Sequence, residues 1–167
     1  MSVPMNSLIM DRNISLSADG ILKKQTHSFF LTVYYEDTDL SGRVYHANYL
    51  RFAERARSDL VKLLGINQRA AYNEGVGMFV IHEQKIRYRQ PAWLDDRLEV
   101  QTQLTRLKAA TVQLQQKIFR DSQLLVETEA VIAFLSVDGR PCRLPSLWRS
   151  LFEPLCITDN IGLKGSN

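Results

Sequence analysis

Between Met78 and Val137 the chain carries four runs of strand character in close succession: Met78 to Arg89, Leu98 to Leu107, Thr111 to Arg120 and Leu124 to Val137. No other feature restricts the fold as much. The runs are rich in β-branched and aromatic residues and alternate apolar with polar side chains, the period of a strand with one face on a core. The connections QPAWLDD, KAA and DSQ are short, which favours antiparallel neighbours. In the last run Glu127 and Glu129 alternate with Val126, Thr128 and Ala130, but from Val131 both faces turn apolar. A strand apolar on both faces needs cover on both, by a helix on one side and by another subunit on the other.

One segment is suited to be that helix. From Asn48, a capable N-cap, to Leu64, ahead of a stop at Gly65, the residues Tyr49, Phe52, Ala53, Ala56, Leu60, Leu63 and Leu64 recur at helical spacing. Arg51, Arg55, Asp59 and Lys62 fall largely elsewhere on its surface. Such a helix is about 25 Å long, enough to cross a small sheet. Ahead of it FFLTVYY, Phe29 to Tyr35, alternates as a strand; behind it Gln68 to Asn73 predicts a short helix broken by Gly75 and Gly77. One strand, one long helix and four antiparallel strands make an α+β arrangement, a curved sheet wrapped around a single central helix.

Composition bounds the rest. A chain of 167 residues is expected to form one domain with one substantial core. A net charge of +3 is too mild to argue for nucleic acid. The longest wholly apolar run, Ala130 to Leu135, is too short to span a bilayer, so no transmembrane segment is expected. The N-terminus lacks the basic and apolar regions of a secretory signal, and Cys142 and Cys156 have neither metal nor redox spacing. Reduced thiols and a cytoplasmic location follow as expectations. Residues 1–27 read as a loosely attached N-terminal extension, 28–155 as the domain, and 156–167 as a C-terminal tail.

Where the first strand stops and the long helix is about to begin stands EDTDLSGRVYHANYL, Glu36 to Leu50. A plain connection needs only turn residues, yet this one carries Asp37, Asp39 and His46. Two readings are open at this point: carboxylates that satisfy backbone donors in a turn, or an active site. Gly42 provides either a positive φ or room for a ligand. As metal ligands the three residues lack a supporting His or Cys at a useful spacing.

The segment VYYEDTDLSGRVYHANYLRFAERARSDL, Val33 to Leu60, resembles the signature of hotdog-fold acyl-CoA thioesterases of the 4-hydroxybenzoyl-CoA thioesterase type, and among them the Tol–Pal-associated, YbgC-like branch. KIRYRQPAWLDDRLEV, Lys85 to Val100, matches that branch as well, and the resemblance runs from Phe29 to Leu147. It implies a hydrolase that cleaves short-chain aliphatic or aromatic acyl-CoA to free acid and CoA without a cofactor or metal. It also implies a homo-oligomer, a dimer or tetramer, with acyl carrier protein as a further candidate partner.

By the same resemblance Asp39 is the working carboxylate, either as a nucleophile forming a mixed anhydride or as a general base for water. The His46 backbone N–H, at the positive end of the helix, polarises the thioester oxygen, with Gly42 supporting the turn. The His46 imidazole hydrogen-bonds Asp39 or water, and Tyr45 lines the acyl pocket. Glu54 is structural, paired with Arg57 three residues on. Thioester cleavage asks for no more than this, because a thiolate, with a thiol pKa of about 8.5, leaves readily. Lys85, Arg87 and Arg89 share one strand face and are candidates to meet the phosphates of coenzyme A, with Arg106 and Lys108 near the next hairpin as weaker ones; the alternative is a solvated outer face. The competing function is a non-catalytic hotdog module that binds acyl-CoA or acyl carrier protein in envelope or lipid metabolism. Such a module has no need of an ionised carboxylate beside the thioester.

Overall fold

The computed structural model describes residues 18–157. The readings made for the first seventeen residues and for the tail from 158 onward lie outside the described residues. Strands β1 (Ile21–Lys23) and β2 (Thr26–Thr32) form a hairpin. A 3-10 turn at Tyr35–Asp37 leads to α1 (Asn48–Leu63), α2 (Gln68–Asn73) and β3 (Met78–Tyr88). Then come β4 (Arg97–Leu107), β5 (Thr111–Arg120), β6 (Gln123–Leu135) and α3 (Ser146–Phe152). All six strands join one antiparallel sheet in the order β1-β2-β4-β5-β6-β3, with α1 packed on one face. This is the α+β arrangement the pattern predicts.

Four local expectations are corrected. The first strand runs Thr26–Thr32 rather than Phe29 to Tyr35. Its inner face is His27, Phe29 and Leu31, in register with Thr102, Val100 and Leu98. Tyr34 and Tyr35, aromatic but 63% and 84% exposed, belong to the turn. Next, β3 and β4 are not neighbours, because β3 lies at the far edge beyond β5 and β6. A connection from Arg89 to Asp96 reaches about 26 Å, more than the ~14 Å of three strand spacings, so shortness did not force adjacency. Third, Asn48 opens α1 instead of capping it; Ala47 holds the cap position, and the Asn48 amide donates to Asp37 Oδ1 at 2.9 Å. Fourth, Glu54 does not pair with Arg57. It accepts from Ser58 Oγ at 2.6 Å, while Arg57 donates to Gln116 Oε1 at 2.9 Å.

The core has two apolar parts. Val33, Tyr49, Phe52, Ala56, Leu98, Val100, Ile118 and Val126 surround the start of α1. Leu60, Leu104, Leu114, Ile132, Phe134, Trp148 and Phe152 fill the other end. Burying each large apolar side chain contributes about 1.5–3 kcal/mol. Helix α3, too short to stand out in the sequence, closes the second part by stacking Trp148 on Phe79 at 5.7 Å.

Between the two parts runs a polar seam. His27, Thr102, Gln116 and Thr128 are consecutive register partners across β2, β4, β5 and β6, and all are buried. Gln116 Nε2 donates to the Ala53 carbonyl of α1 at 2.9 Å and to Thr102 Oγ1 at 3.0 Å. At the seam's end Asp59, expected on the surface, is 5% exposed and meets His27 Nε2 at 2.8 Å. Its carboxylate also accepts the amides of Asp19 and Gly20 at 2.7 and 2.9 Å. The sheet and its anchors therefore reach into the segment read as an extension.

Candidate active site

Two acids two residues apart fare very differently. Asp37 is 2% exposed. Its Oδ2 accepts the Tyr34 amide at 2.9 Å, its Oδ1 accepts the Asn48 side chain, and its carbonyl accepts the Tyr45 amide at 2.8 Å. This carboxylate ties the end of β2 to the first residue of α1. Asp39 instead is the first residue inside a tight loop closed by the Thr38–Val44 bridge. The Asp39 amide donates to the Arg43 carbonyl at 2.9 Å, and the Gly42 amide donates back to the Asp39 carbonyl at 3.0 Å. Gly42 has φ +79°, and a Cβ there would meet nothing within 4 Å. The glycine is required for its backbone conformation rather than for space.

The Asp39 side chain is exposed on a cavity of about 350 Å³, whose lining includes Ser41, Arg43, His46, Tyr88 and Arg89. Oδ1 accepts the Ser41 hydroxyl at 2.6 Å and the Ser41 amide at 2.8 Å. Oδ2 has no such partner among the described residues. The Ser41 hydroxyl, then the Ser41 amide, and more weakly Arg43 and His46, hold the Asp39 carboxyl below its ordinary value against a small opposing effect of burial. The group is thus an ionised carboxylate with one oxygen tethered and one open to a ligand.

His46 lies in the turn that opens α1, where the Asn48 amide bonds the Tyr45 carbonyl at 2.8 Å. Its own backbone N–H has no acceptor among the described residues. That leaves a free donor beside the positive end of a sixteen-residue helix. The His46 carbonyl accepts the Tyr88 hydroxyl at 3.0 Å, and burial pushes the Tyr88 phenol up, which keeps the proton it donates. The imidazole ring packs against Tyr45 at 4.4 Å between centroids. Tyr45 itself stands outside the lining of the Asp39 cavity.

Of the basic residues singled out in the sequence, Arg89 reaches this cavity, and it is bound to Glu127 Oε2 at 2.6 and 2.9 Å. Lys85 and Arg87 point outward from β3, Lys85 lying 3.4 Å from Glu83. Arg106 and Lys108 lie on the β4–β5 hairpin, outside the cavity lining. Arg43 was missed, because one arginine inside a turn has no periodicity to mark it. A second, mainly apolar cavity of about 160 Å³ lies between α1, β3 and α3; Leu60, Phe79, Leu114 and Phe152 line it, with Glu54 and Arg57 among its polar residues. It shares no residue with the first.

Comparisons with known proteins bear on the family and the fold. Residues 33–152 match the family model described as the thioesterase-like superfamily. The acyl-CoA thioesterase YbgC of Haemophilus influenzae is 36% identical over 129 residues, 77% of this chain and 95% of that protein. The acyl-CoA thioester hydrolase YbgC of Escherichia coli O6:H1 is 41% identical over 115 residues, 68% of this chain and 85% of that protein. The crystal structure of a probable thioesterase from Bartonella henselae superposes with a TM-score of 0.69 at 37% identity, covering 72% of this chain and 99% of that one.

Proposed function

The chain belongs to the thioesterase-like superfamily, and from that premise we propose that it hydrolyses acyl-CoA thioesters with Asp39 as its working carboxylate and the His46 backbone N–H as its electrophilic anchor. It is an acyl-CoA thioester hydrolase in the manner of its YbgC relatives. One observation supports the assignment of roles: Asp39, whose carboxylate keeps one oxygen without a partner, and His46, whose backbone amide at a helix start has no acceptor among the described residues, line one cavity.

The thioester carbonyl accepts the His46 N–H, and the negative charge that develops on its oxygen is stabilised there. A preorganised donor of this kind is worth about 3 kcal/mol in the transition state. The Asp39 carboxylate either attacks the carbonyl carbon, giving a mixed anhydride that water then opens, or takes a proton from the water that attacks. Both routes consume one water and yield a free acid and a thiol. A single turnover in ¹⁸O-water separates them, since only the anhydride route places the label in Asp39 when water attacks its carbonyl. Acyl chains of short aliphatic or aromatic type are the proposed substrates, with coenzyme A or acyl carrier protein as the carrier.

The 11-residue strand β3 is an edge of the sheet. Pairing of two such edges supports a homodimer, with dimers assembling further into a tetramer. No helix among the described residues is long and apolar enough to cross a membrane. With Cys142 and Cys156 both free, the proposed location is the cytoplasm. A panel of acyl-CoAs mixed with purified protein and a thiol reagent tests the function. Thiol release that Asp39→Asn abolishes is the expected result. No release with any chain length favours the non-catalytic binding module.

A further inference from the structure

We propose that Arg43 binds the phosphate that ends the pantetheine arm of the substrate's carrier, a group common to coenzyme A and to the prosthetic arm of an acyl carrier protein; the proposal rests on the hydrolase reading above. Arg43 lines the Asp39 cavity and is exposed. Among the described residues it forms no ion pair, whereas Arg89, the other arginine of this cavity, is engaged by Glu127. The guanidinium lies 5.2 Å over the ring of Trp93. The guanidinium N–H groups have no hydrogen-bond acceptor among the described residues, and a guanidinium with free donors can grip an oxyanion with two parallel hydrogen bonds.

The platform beneath it is held in place. Arg43 and Trp93 are joined by an antiparallel backbone bridge, and the Val44 amide donates to the Ala92 carbonyl at 2.9 Å. The Trp93 amide donates to Asp96 Oδ2 at 2.8 Å, and that carboxylate is fixed by Arg120 at 2.6 Å. A long side chain held on a rigid ring loses little freedom on binding. The pantetheine arm is flexible enough to set its thioester at Asp39 while its phosphate rests on this rim.

The competing explanation is mechanical: Arg43 on Trp93 only staples the catalytic turn to the β3–β4 loop. Two substrates that differ by one phosphate, an acyl-phosphopantetheine and the matching acyl-pantetheine, separate the two explanations. In Arg43→Gln the ratio of their kcat/KM values should fall about tenfold, chiefly through KM, the effect of losing a hydrogen bond to a charged group; Arg43→Lys should recover part of it. Acyl-CoA and acyl carrier protein thioesters should lose the same factor. A ratio that does not change, as a staple predicts, overturns the proposal, and so does a loss confined to acyl-CoA, which would assign Arg43 to a nucleotide phosphate. Calorimetric binding of phosphopantetheine to wild type, and its weakening in Arg43→Gln, reads the contact without turnover. A wild type that binds it yet releases no thiol from any substrate overturns the hydrolase reading and leaves the phosphate site standing.

Discussion

Exchanging Asp37 and Asp39 of the EDTD turn for their amides, one at a time, should produce opposite losses. In Asp37→Asn one amide oxygen can still accept a hydrogen bond, but the new NH₂ faces a donor, the Tyr34 amide or the Asn48 side chain, which now meet the original carboxylate at 2.9 Å. One charge-assisted hydrogen bond is lost and a buried donor is stranded. Hydrogen bonds to charged groups contribute about 1.5–3 kcal/mol, and a stranded buried group costs about 1–3 kcal/mol. Since the amide retains part of the network, about 3 kcal/mol is expected in all. For a chain of 167 residues that lowers Tm by about 6–12 °C. Asp39→Asn removes an exposed carboxylate whose hydrogen bonds are local, so its melting curve should overlay that of wild type, while turnover should fall about 10²–10⁴-fold, the range for a lost acid–base group. Thermal melts and thiol release from one acyl-CoA, measured on the same preparations, read both effects. If Asp39→Asn melts as early as Asp37→Asn, or turns over at the wild-type rate, the division of labour between the two acids is wrong.

In the proposed role Asp39 works as a carboxylate, so activity is expected to persist above its folded pKa and to be lost as pH falls through it. Because the Ser41 hydroxyl is the main cause of the lowered value, Ser41→Ala should move the acid limb of the kcat/KM profile to higher pH and leave the neutral plateau in place. His46→Ala keeps the backbone N–H and should slow turnover less than Asp39→Asn does, by about tenfold or less; an equal loss would transfer the main role to the imidazole. Gln116→Leu leaves Thr102 and Arg57 without their partner and should lower stability by about 2–4 kcal/mol in urea unfolding.

Periodicity was enough to find most of the elements. The stretch Thr111–Arg120 is a strand from end to end, as its alternation predicts, and α2 spans the predicted Gln68–Asn73. Pattern failed where polar residues face inward or aromatic ones face out. His27 and Gln116 are 0% exposed although polar: Gln116 bonds the Ala53 carbonyl of α1 and Thr102 of the neighbouring strand, and His27 Nε2 meets Asp59 of α1 while its Nδ1 has no partner among the described residues; no single-residue property announces that. Tyr35 looks like a strand residue and lies in a turn. Strand order was hidden too, since a loop's length limits its reach without choosing its destination. At the site, the turn's residue types pointed to chemistry, but only burial separates Asp37 from Asp39. The free His46 N–H is a backbone fact that side chains do not reveal.

The seam under α1 has a mechanical consequence. Greasy surfaces grip without direction, so a helix lying on them alone can slide or roll by fractions of an ångström at little cost. A glutamine reaching up from the sheet to one main-chain oxygen, Ala53, works as a peg in a slot. With its middle pegged, the helix begins at a set height above the sheet, and the amide two residues upstream of that start, the proposed anchor for the thioester, is carried with it. The aim of the proposed site is thus set about two turns away from it.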